Sequence, residues 1–373
     1  MDSVVELLQA LVQTPSVNPD GDPGVSPGGE EKVALAIRDF LAPLGFKVSL
    51  EEVEPGRPNL IARCPGPENR PRMMLAPHLD TVGISGMTID PFAASISDGK
   101  IFGRGTSDTK GSMAAMLWGL FENASNLPAL PVAVDFVAFM GEESSQPGSR
   151  HFAAHHAGEY QFAIAGEPTS LEAVHCTKGS LWATLQATGK STHASQPHLG
   201  ENAILKLMKG LTTLHGPFQE FLASHTHPIL GSATMNLGTI RGGKVPNIVP
   251  NLATAQIDIR TVPDLVRDRP AKDVLQQFAG ELEIIEARES PPMDLSSDHP
   301  WLNRLKTAMP GLVLTGAPWF SDASHLAAAG VPSICLGPGS IDQAHTADEF
   351  ISIEDLEAGA SWFSRMIAQI KAG

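Results

Sequence analysis

Residues 73–80, Met-Met-Leu-Ala-Pro-His-Leu-Asp, join a short apolar run to a histidine and an aspartate. The same pattern, a strand-like run that leads to acidic or histidine side chains, recurs at Val132–Met140 before Gly141-Glu142-Glu143, at Phe162–Ala165 before Gly166-Glu167, and at Ile334–Gly339 before Ala344-His345. In a parallel α/β sheet every strand delivers its carboxyl end to one edge, where ligands bind. We therefore predict an α/β fold in which these side chains converge.

Asp108 belongs to the same group, because it follows Gly103-Arg104-Gly105 and opens a helical stretch. Carboxylates and imidazoles that crowd together repel and desolvate one another unless a cation holds them. Convergence of these side chains at one sheet edge therefore predicts a metal site.

Composition limits the classes of function. The 373 residues suggest two domains, or one large domain with an insertion. A hydrophobic content of 42% supports a core, and a charged content of 18% is too low for a disordered chain. The formal net charge of -15 argues against a nucleic-acid partner.

The location is predicted to be cytoplasmic. Three cysteines without a C-x-x-C pair (Cys64, Cys176 and Cys335) favour a reducing compartment. The amino-terminal residues lack the basic and apolar regions of a secretory signal. No apolar stretch approaches the ~20 residues that cross a bilayer, so no membrane partner is expected.

The order of predicted elements indicates an insertion. Residues 1–177 alternate helices with short strands, which is typical of an α/β domain. Residues 178–290 are predicted as strand, helix (Asn202–Leu214), two strands, helix (Asp264–Phe278) and strand, the β-α-β-β-α-β order of a ferredoxin-like module. Residues 291–373 return to α/β and end in a helix, Ile353–Ala372.

Spacing suggests individual roles. His78 and Asp80 are two residues apart in an extended segment, so both side chains lie on one face, and the Asp80 carboxylate is placed to accept the second ring N–H of His78. Glu142 and Glu143 are adjacent and point in different directions, so one can bind metal while the other moves a proton. Solvated polar turns are the alternative for both pairs.

Other motifs give weaker signals. Taken alone, Asp108 is a candidate helix N-cap. It also occupies the position of the third glycine of G-x-G-x-x-G, which excludes a dinucleotide loop. His151 and His155 have the i, i+4 spacing of a helical zinc pair, but there is no H-E-x-x-H, and a solvated polar face accounts for them.

Together the motifs resemble the dinuclear zinc amidohydrolases, the family of acetylornithine deacetylase, succinyl-diaminopimelate desuccinylase, aminoacylase and carboxypeptidase G. The matching blocks, in family order and over nearly the whole chain, are Pro-His-Leu-Asp-Thr-Val, Gly-Arg-Gly-Thr-Ser-Asp-Thr-Lys-Gly, Gly-Glu-Glu, Gly-Glu-Pro-Thr, Ser-Thr-His-Ala-Ser-Gln-Pro, Asn-Ile-Val-Pro-Asn and Gln-Ala-His-Thr-Ala-Asp-Glu. The carboxy-terminal block looks most like that of acetylornithine deacetylases.

The resemblance implies an α/β/α zinc-exopeptidase-like catalytic domain, formed by residues 1–177 and 291–373, with residues 178–290 as an inserted lid and dimerisation domain. It implies two divalent metal ions, with zinc expected and cobalt or manganese as alternatives. By the same resemblance, His78 and Glu167 would bind one ion, Glu143 and His345 would bind the other, and Asp108 would bridge the two. Asp80 would orient His78, and Glu142 would be the general base.

Further expectations follow from the same resemblance. The Asp108–Thr109 peptide bond is expected to be cis, and Thr109 replaces the usual methionine. His193 would stabilise the oxyanion, and Asn247 and Arg260 would contact the substrate. Arg260 suits a substrate carboxylate, although it could equally pair with Asp258. A homodimer is expected.

The predicted activity is hydrolysis of the amide bond of an N-acyl amino acid, as in acetylornithine deacetylase-like deacylases. A dipeptidase or glutamate carboxypeptidase of the same family is the alternative, since both would use the same centre on a small-molecule substrate. A metal-dead binding protein is a third reading, but every predicted ligand and Glu142 are present.

Overall fold

The computed structural model describes residues 1–20 and 28–371. The chain forms two compact units. The first contains Met1–His175, Leu295–Thr315 and Ser321–Gly373, and the second contains Cys176–Asp294 and Gly316–Phe320. The predicted domain limits of 1–177, 178–290 and 291–373 stay a prediction.

The helices of the described residues are α1 (Val4–Val12), α2 (Gly29–Leu41), α3 (Lys110–Glu122), α4 (Pro147–His156), α5 (Ala203–Ser224), α6 (Ala271–Gln276), α7 (Pro300–Ala308), α8 (Asp322–Ala328) and α9 (Ile353–Gln369). The strands are β1 (Lys47–Glu54), β2 (Arg57–Arg63), β3 (Arg72–Ala76), β4 (Ser95–Ser97), β5 (Lys100–Phe102), β6 (Ala133–Ala138), β7 (Phe162–Ala165), β8 (Ala173–Thr177), β9 (Gly179–Thr188), β10 (Thr226–His227), β11 (Gly231–Ser232), β12 (Thr234–Gly242), β13 (Leu252–Thr261), β14 (Glu283–Ser290), β15 (Met293–Asp294), β16 (Leu314–Ala317), β17 (Ser333–Cys335) and β18 (Phe350–Ser352).

A large sheet forms the centre of the first unit, with the order β1-β2-β6-β3-β7-β17-β8. Strand β3 pairs in parallel with β6 and β7, and β17 pairs in parallel with β7. Strands β6 and β7 are buried along their whole length. Their continuous apolar sequences follow from this burial, because parallel strands with both faces covered need apolar side chains on both faces.

Alternate residues of β3 enter two separate hydrophobic clusters. Met73 and Leu75 pack in a cluster that includes buried residues of α1, α2, α3 and α9. Met74 and Ala76 pack with Phe152 of α4 and with buried residues of α8 and β6. Because successive side chains of a strand point to opposite faces, the sheet is covered on both sides, as an α/β/α sandwich. The predicted α/β fold class is confirmed.

The second unit contains a four-stranded antiparallel sheet with the order β12-β13-β9-β14. Buried side chains of α5 and α6 pack with this sheet in a hydrophobic cluster of their own. The use of this unit as a lid or dimerisation domain stays a prediction.

Two helix predictions in this segment were wrong in extent. The helix predicted over 264–278 is a 3₁₀ turn, Pro263–Val266, followed by α6, which begins at Ala271 directly after Pro270. The reason is that a proline lacks an N–H and disfavours helical geometry in the preceding residue. The helix predicted to end at Leu214 continues to Ser224 through Pro217.

The last helix, α9, begins at Ile353 as predicted and ends at Gln369, while the predicted end at Ala372 lies outside the described residues. In the part of the chain that the structure describes, no helix has the length and apolar character needed to cross a membrane.

Candidate metal centre

The carboxyl ends of the parallel strands carry the predicted ligands. His78 and Asp80 follow β3, and an isolated parallel bridge between His78 and Phe139 extends the pairing of β3 with β6 beyond the strand ends. Glu142 and Glu143 stand in the turn after β6, and Glu167 stands two residues after β7. These side chains therefore reach the same edge, because the strands that precede them run in the same direction.

Asp108 lies between two histidines. Its Oδ1 is 2.9 Å from Nε2 of His78, and its Oδ2 is 3.4 Å from Nε2 of His345. The aspartate is 7% exposed, and the Asp108–Thr109 peptide bond is cis, as the resemblance implied. His345 has a left-handed backbone, with a φ of 62°, and its Nε2 lies 3.1 Å from Oε2 of Glu143.

Two groups of candidate metal ligands share Asp108. The ligand atoms of His78, Asp108 and Glu167 lie within 4.8 Å of one another, and so do those of Asp108, Glu143 and His345. A third such group, His78, Glu142 and Glu143, overlaps them. The five side chains predicted as ligands are thus brought together, with the aspartate between the two sets.

The cluster places several buried carboxylates close together, an arrangement that a bound cation would stabilise. Burial, followed by the charge of Asp108, raises the pKa of Glu143 to about 7 and holds the pKa of Glu167 well above its usual range. Hydrogen bonds that the His345 ring donates to the carboxylates of Asp108 and Glu143 raise the pKa of His345 to about 10. Within the described residues, Oε1 of Glu143 is buried without a hydrogen-bond partner. These nitrogen and oxygen donors fit divalent ions of the zinc class, whose charge would compensate the clustered carboxylates.

Asp80 holds the turn that carries the two glutamates. Its carboxylate accepts the backbone N–H groups of Glu142 and Glu143, each at 3.0 Å, and the Asn18 amide at 2.7 Å. Nδ1 of His78 lies 3.0 Å from the Asp80 carbonyl oxygen and 3.5 Å from its carboxylate. Asp80 therefore links the loop after β3 to the turn after β6, in addition to contacting the histidine.

Residues 74–369 match the family described as peptidase family M20/M25/M40. The chain belongs to this family. The acetylornithine deacetylase of Vibrio vulnificus (strain CMCP6) is 32% identical to it over 378 residues, which cover 96% of each chain. An M20 family metallo-carboxypeptidase from Sulfolobus solfataricus has a TM-score of 0.78 at 20% identity and covers 99% of both chains. A dinuclear metal binding peptidase of the M20 family from Bacillus subtilis has a TM-score of 0.67 at 16% identity, covering 98% of this chain and 96% of the other.

The resemblance inferred from the motifs is therefore confirmed. The M20 family contains dinuclear metal-binding peptidases, and this member is a hydrolase that acts on amide or peptide bonds.

Glu349 is a structural residue of the site for which the sequence motifs predicted no role. Its carboxylate is fully buried and accepts the backbone N–H groups of Gly105, Ser107 and Asp108 at 2.9–3.0 Å. It also pairs with Arg104 at 2.7 Å. Glu349 therefore fixes the loop that presents the Asp108 carboxylate to this M20 centre. The one sequence signal for Glu349 is that it ends the matching block Gln-Ala-His-Thr-Ala-Asp-Glu, which also contains His345.

Gln146 is a second residue without a predicted role. Its side-chain amide donates to Oε1 of Glu142 at 2.8 Å, and its Oε1 lies 2.9 Å from Nε2 of His325. Gln146 is fully buried and has a φ of 56°, a left-handed conformation at the start of α4. Nothing in the sequence pattern distinguished it, because its partners come from α8 and from the preceding turn.

Asp322 also joins this M20 site. It begins α8 and is 2% exposed. Burial raises the pKa of Asp322 to about 7. The negative charges of Asp80 and Glu143 also raise this pKa, whereas the charge of His78 lowers it. Its only sequence signal was an acidic residue in the first turn of a helix, where the helix dipole commonly favours negative charge.

Three predicted site residues lie in the second unit. Nδ1 of the exposed His193 is 2.7 Å from the Ser195 hydroxyl, and His193 forms a bridge with Ile248. The Asn247 carbonyl accepts from the Ala194 N–H at 3.0 Å, so His193 and Asn247 occupy neighbouring segments. Arg260 on β13 pairs with Asp258 at 2.9 Å, and Asp258 is the partner predicted from the sequence as the alternative to a substrate carboxylate.

Proposed function

We propose that the protein hydrolyses the amide bond of an N-acyl amino acid, as an acetylornithine deacetylase-like deacylase. The observation that carries the proposal is the match to the Vibrio vulnificus deacetylase over 96% of both chains. The complete set of clustered histidines and carboxylates supports it, because a metal-dead binding protein would lack a ligand or Glu142.

Two divalent ions are proposed as cofactors, zinc first, with cobalt or manganese as alternatives. His78, Asp108 and Glu167 would hold one ion, and Asp108, Glu143 and His345 would hold the other. When bound, such ions would supply Lewis-acid polarisation of the scissile carbonyl and would make a water molecule easier to deprotonate. The unpartnered Oε1 of Glu143 and the two ligand groups that share Asp108 support this assignment.

Glu142 is proposed as the general base. Desolvation holds its pKa well above the usual range, so the carboxylate is suited to accept a proton from the attacking water and to pass it to the leaving amine. The hydrogen bond from Gln146 restricts the orientation of this carboxylate. Asp80 is proposed to hold both Glu142 and His78 through the contacts described above.

His193 is proposed to donate a hydrogen bond to the oxyanion of the tetrahedral intermediate. Asn247 and Arg260 are proposed substrate contacts, with Arg260 recognising an α-carboxylate. The salt bridge to Asp258 is compatible with this role, because a guanidinium has five N–H donors and can donate to a substrate carboxylate while it pairs with Asp258.

A homodimer is proposed through the second unit. Its strand β12 pairs only with β13 among the described residues and carries the exposed side chains Leu237 and Ile240. Leu205 and Met208 of the adjacent α5 are 62% and 54% exposed. An exposed apolar sheet edge is suited to pairing with a second copy.

The cytoplasm is the proposed location, since all three cysteines are buried and free. Neither nucleic acid nor membrane is a proposed partner.

A substrate panel tests the proposed function. Zinc- and cobalt-loaded protein is assayed with N-acetyl amino acids, including N-acetylornithine, and with dipeptides and N-acylglutamates. We expect the highest kcat/KM for an N-acetyl amino acid, whereas preferred cleavage of dipeptides or N-acylglutamates would favour the peptidase alternative. The Glu142→Gln variant serves as the blank, and we expect it to keep its metal and to lose kcat by about 10²–10⁴-fold. Equal turnover in both proteins would contradict the role of Glu142.

A further inference from the structure

A cluster of histidines lies on α4, apart from the ligands around Asp108. The α4 histidine cluster comprises His151, His155 and His156 on or at the end of this helix, with Glu51 of β1 facing them. Nε2 of His151 is 2.8 Å from Oε1 of Glu51, and Nε2 of His156 is 2.9 Å from Oε2 of the same carboxylate. The sequence alone predicts a solvated polar face for His151 and His155.

We propose that Glu51, His151 and His155 bind a further divalent ion of the zinc class. One ligand atom from each of the three side chains lies within 4.8 Å of the others. Two histidines one helical turn apart, with a carboxylate from a neighbouring element, supply three of the four ligands of a tetrahedral site. The proposal does not depend on the proposed function.

The tautomer of His155 favours metal binding. Its Nδ1 lies 2.7 Å from the backbone carbonyl of His151, and because a carbonyl only accepts hydrogen bonds, this nitrogen carries the proton. In the neutral ring, Nε2 therefore presents its lone pair. A ring N–H donated to a backbone carbonyl is the usual arrangement of a histidine that binds metal through its other nitrogen.

Glu51 is oriented for the same task. Nε2 of His156 contacts Oε2 of Glu51, and the ring of His156 is itself held by Glu159, which lies 2.8 Å from its Nδ1. The Glu51 carboxylate therefore has Oε2 fixed and directs Oε1 toward His151. Tetrahedral zinc sets neighbouring nitrogen and oxygen ligands roughly 3.3 Å apart. The present separation of 2.8 Å needs only a small rotation of either side chain. The bound ion would join the end of α4 to β1.

Zinc binding to the untagged, metal-loaded full-length protein tests the site. After dialysis against a small excess of zinc, metal analysis gives the number of ions per chain, and calorimetric titration with zinc gives the affinity. We expect the double variant His151→Ala, His155→Ala to hold one ion fewer than the unmodified protein and to keep its hydrolytic turnover. The single variant His155→Ala, at an exposed helix position where alanine is well tolerated, should also lose this ion.

Two further variants sharpen the result. His156→Phe keeps the three proposed ligands and removes the contact that orients Glu51, so we expect zinc to bind about 10- to 100-fold more weakly. His215→Ala removes an exposed histidine from α5 and should change nothing. An equal number of ions in the unmodified protein and the double variant would overturn the proposal, as would the same loss in His215→Ala.

Discussion

Asp108 illustrates how much one residue contributes to this site. Its two carboxylate oxygens face His78 and His345, and each of the two ligand groups that contain it needs this side chain. Its backbone N–H is in turn held by Glu349. At the residue scale, the chemistry therefore depends on residues that orient the ligands and the proposed base. Gln146 is the clearest example, because its side-chain amide donates a hydrogen bond to the Glu142 carboxylate.

Replacement of Gln146 by methionine should lower kcat without loss of metal. The change keeps a side chain of similar size but removes the amide that donates to Glu142. A hydrogen bond to a charged group contributes about 1.5–3 kcal/mol, which corresponds to a kcat about 10- to 100-fold lower. Steady-state kinetics would show the fall in kcat at nearly constant KM, and metal analysis would show unchanged content.

Ser145→Ala, in the same turn, is the matched control and should keep its kcat. A Gln146→Met variant with full turnover, or one that loses turnover together with its metal, would contradict a role in orienting Glu142.

At the scale of an element, the loop 103–108 obtains its shape from a distant carboxylate. Glu349 accepts three backbone N–H groups of this loop and pairs with Arg104, and both charged side chains are buried. The loop contains two glycines with positive φ, Gly103 and Gly105, and glycine restricts the backbone less than any other residue. Its conformation therefore follows from the buried acid.

Replacement of Glu349 by glutamine should destabilise the protein and weaken metal binding. The amide leaves the Arg104 charge buried without its counter-charge, which costs about 3–5 kcal/mol of unfolding free energy. Chemical denaturation would measure this loss, and metal analysis would report on the position of Asp108. Glu357→Gln, at an exposed position of α9, is the control and should unfold like the unmodified protein. If both variants unfold alike, Glu349 does not hold the loop.

At the scale of the whole molecule, stability should depend on pH through a buried histidine. Burial, and then the charge of Arg150, lowers the pKa of His325 to about 4, against about 6.5 in an unfolded chain. Because the unfolded state binds the proton more tightly, this contribution is complete above pH ~6.5 and is lost as the pH falls toward 4. The difference corresponds to roughly 3 kcal/mol of unfolding free energy.

Denaturant titrations of the metal-free protein between pH 7 and 4 would test this dependence. His325→Gln should show a smaller loss of unfolding free energy than the unmodified protein over the same range. His215→Gln, at an exposed position, should follow the unmodified protein. Parallel curves for the unmodified protein and His325→Gln would refute the contribution of His325.

Assembly gives a second prediction at this scale. Ile240→Lys puts a charge on the exposed edge strand β12, where the native side chain is 53% exposed and so adds little to the fold of the unit itself. We expect the proposed dimer to become a monomer by light scattering coupled to size exclusion, because a lysine on a sheet edge opposes pairing. Val313→Lys, at a similarly exposed apolar position of the first unit, should leave the mass unchanged. A dimeric Ile240→Lys protein would place any interface elsewhere.

The sequence by itself determined the α/β class and the approximate positions of β3, β6, β7 and β17, the strands that carry predicted ligands. Short continuous apolar runs such as Phe162–Ala165 are typical of strands buried on both faces, and the acidic and histidine residues that follow them indicate metal chemistry. The resemblance of whole motifs then identified the family. Each of these signals lies within a short segment, so it can be recognised in the sequence before the fold is known.

Tertiary structure alone decided which residues support the ligands. Glu349 reaches Asp108 across 241 positions, His325 reaches Gln146 across 179, and Glu51 reaches His151 across 100. No period or spacing in a sequence encodes such pairs, because they depend on how elements pack, and a buried charge finds its partner only when the chain has folded. The same reason explains why His151 and His155 of α4, for which the sequence predicts a solvated face, lie beside the Glu51 carboxylate of β1.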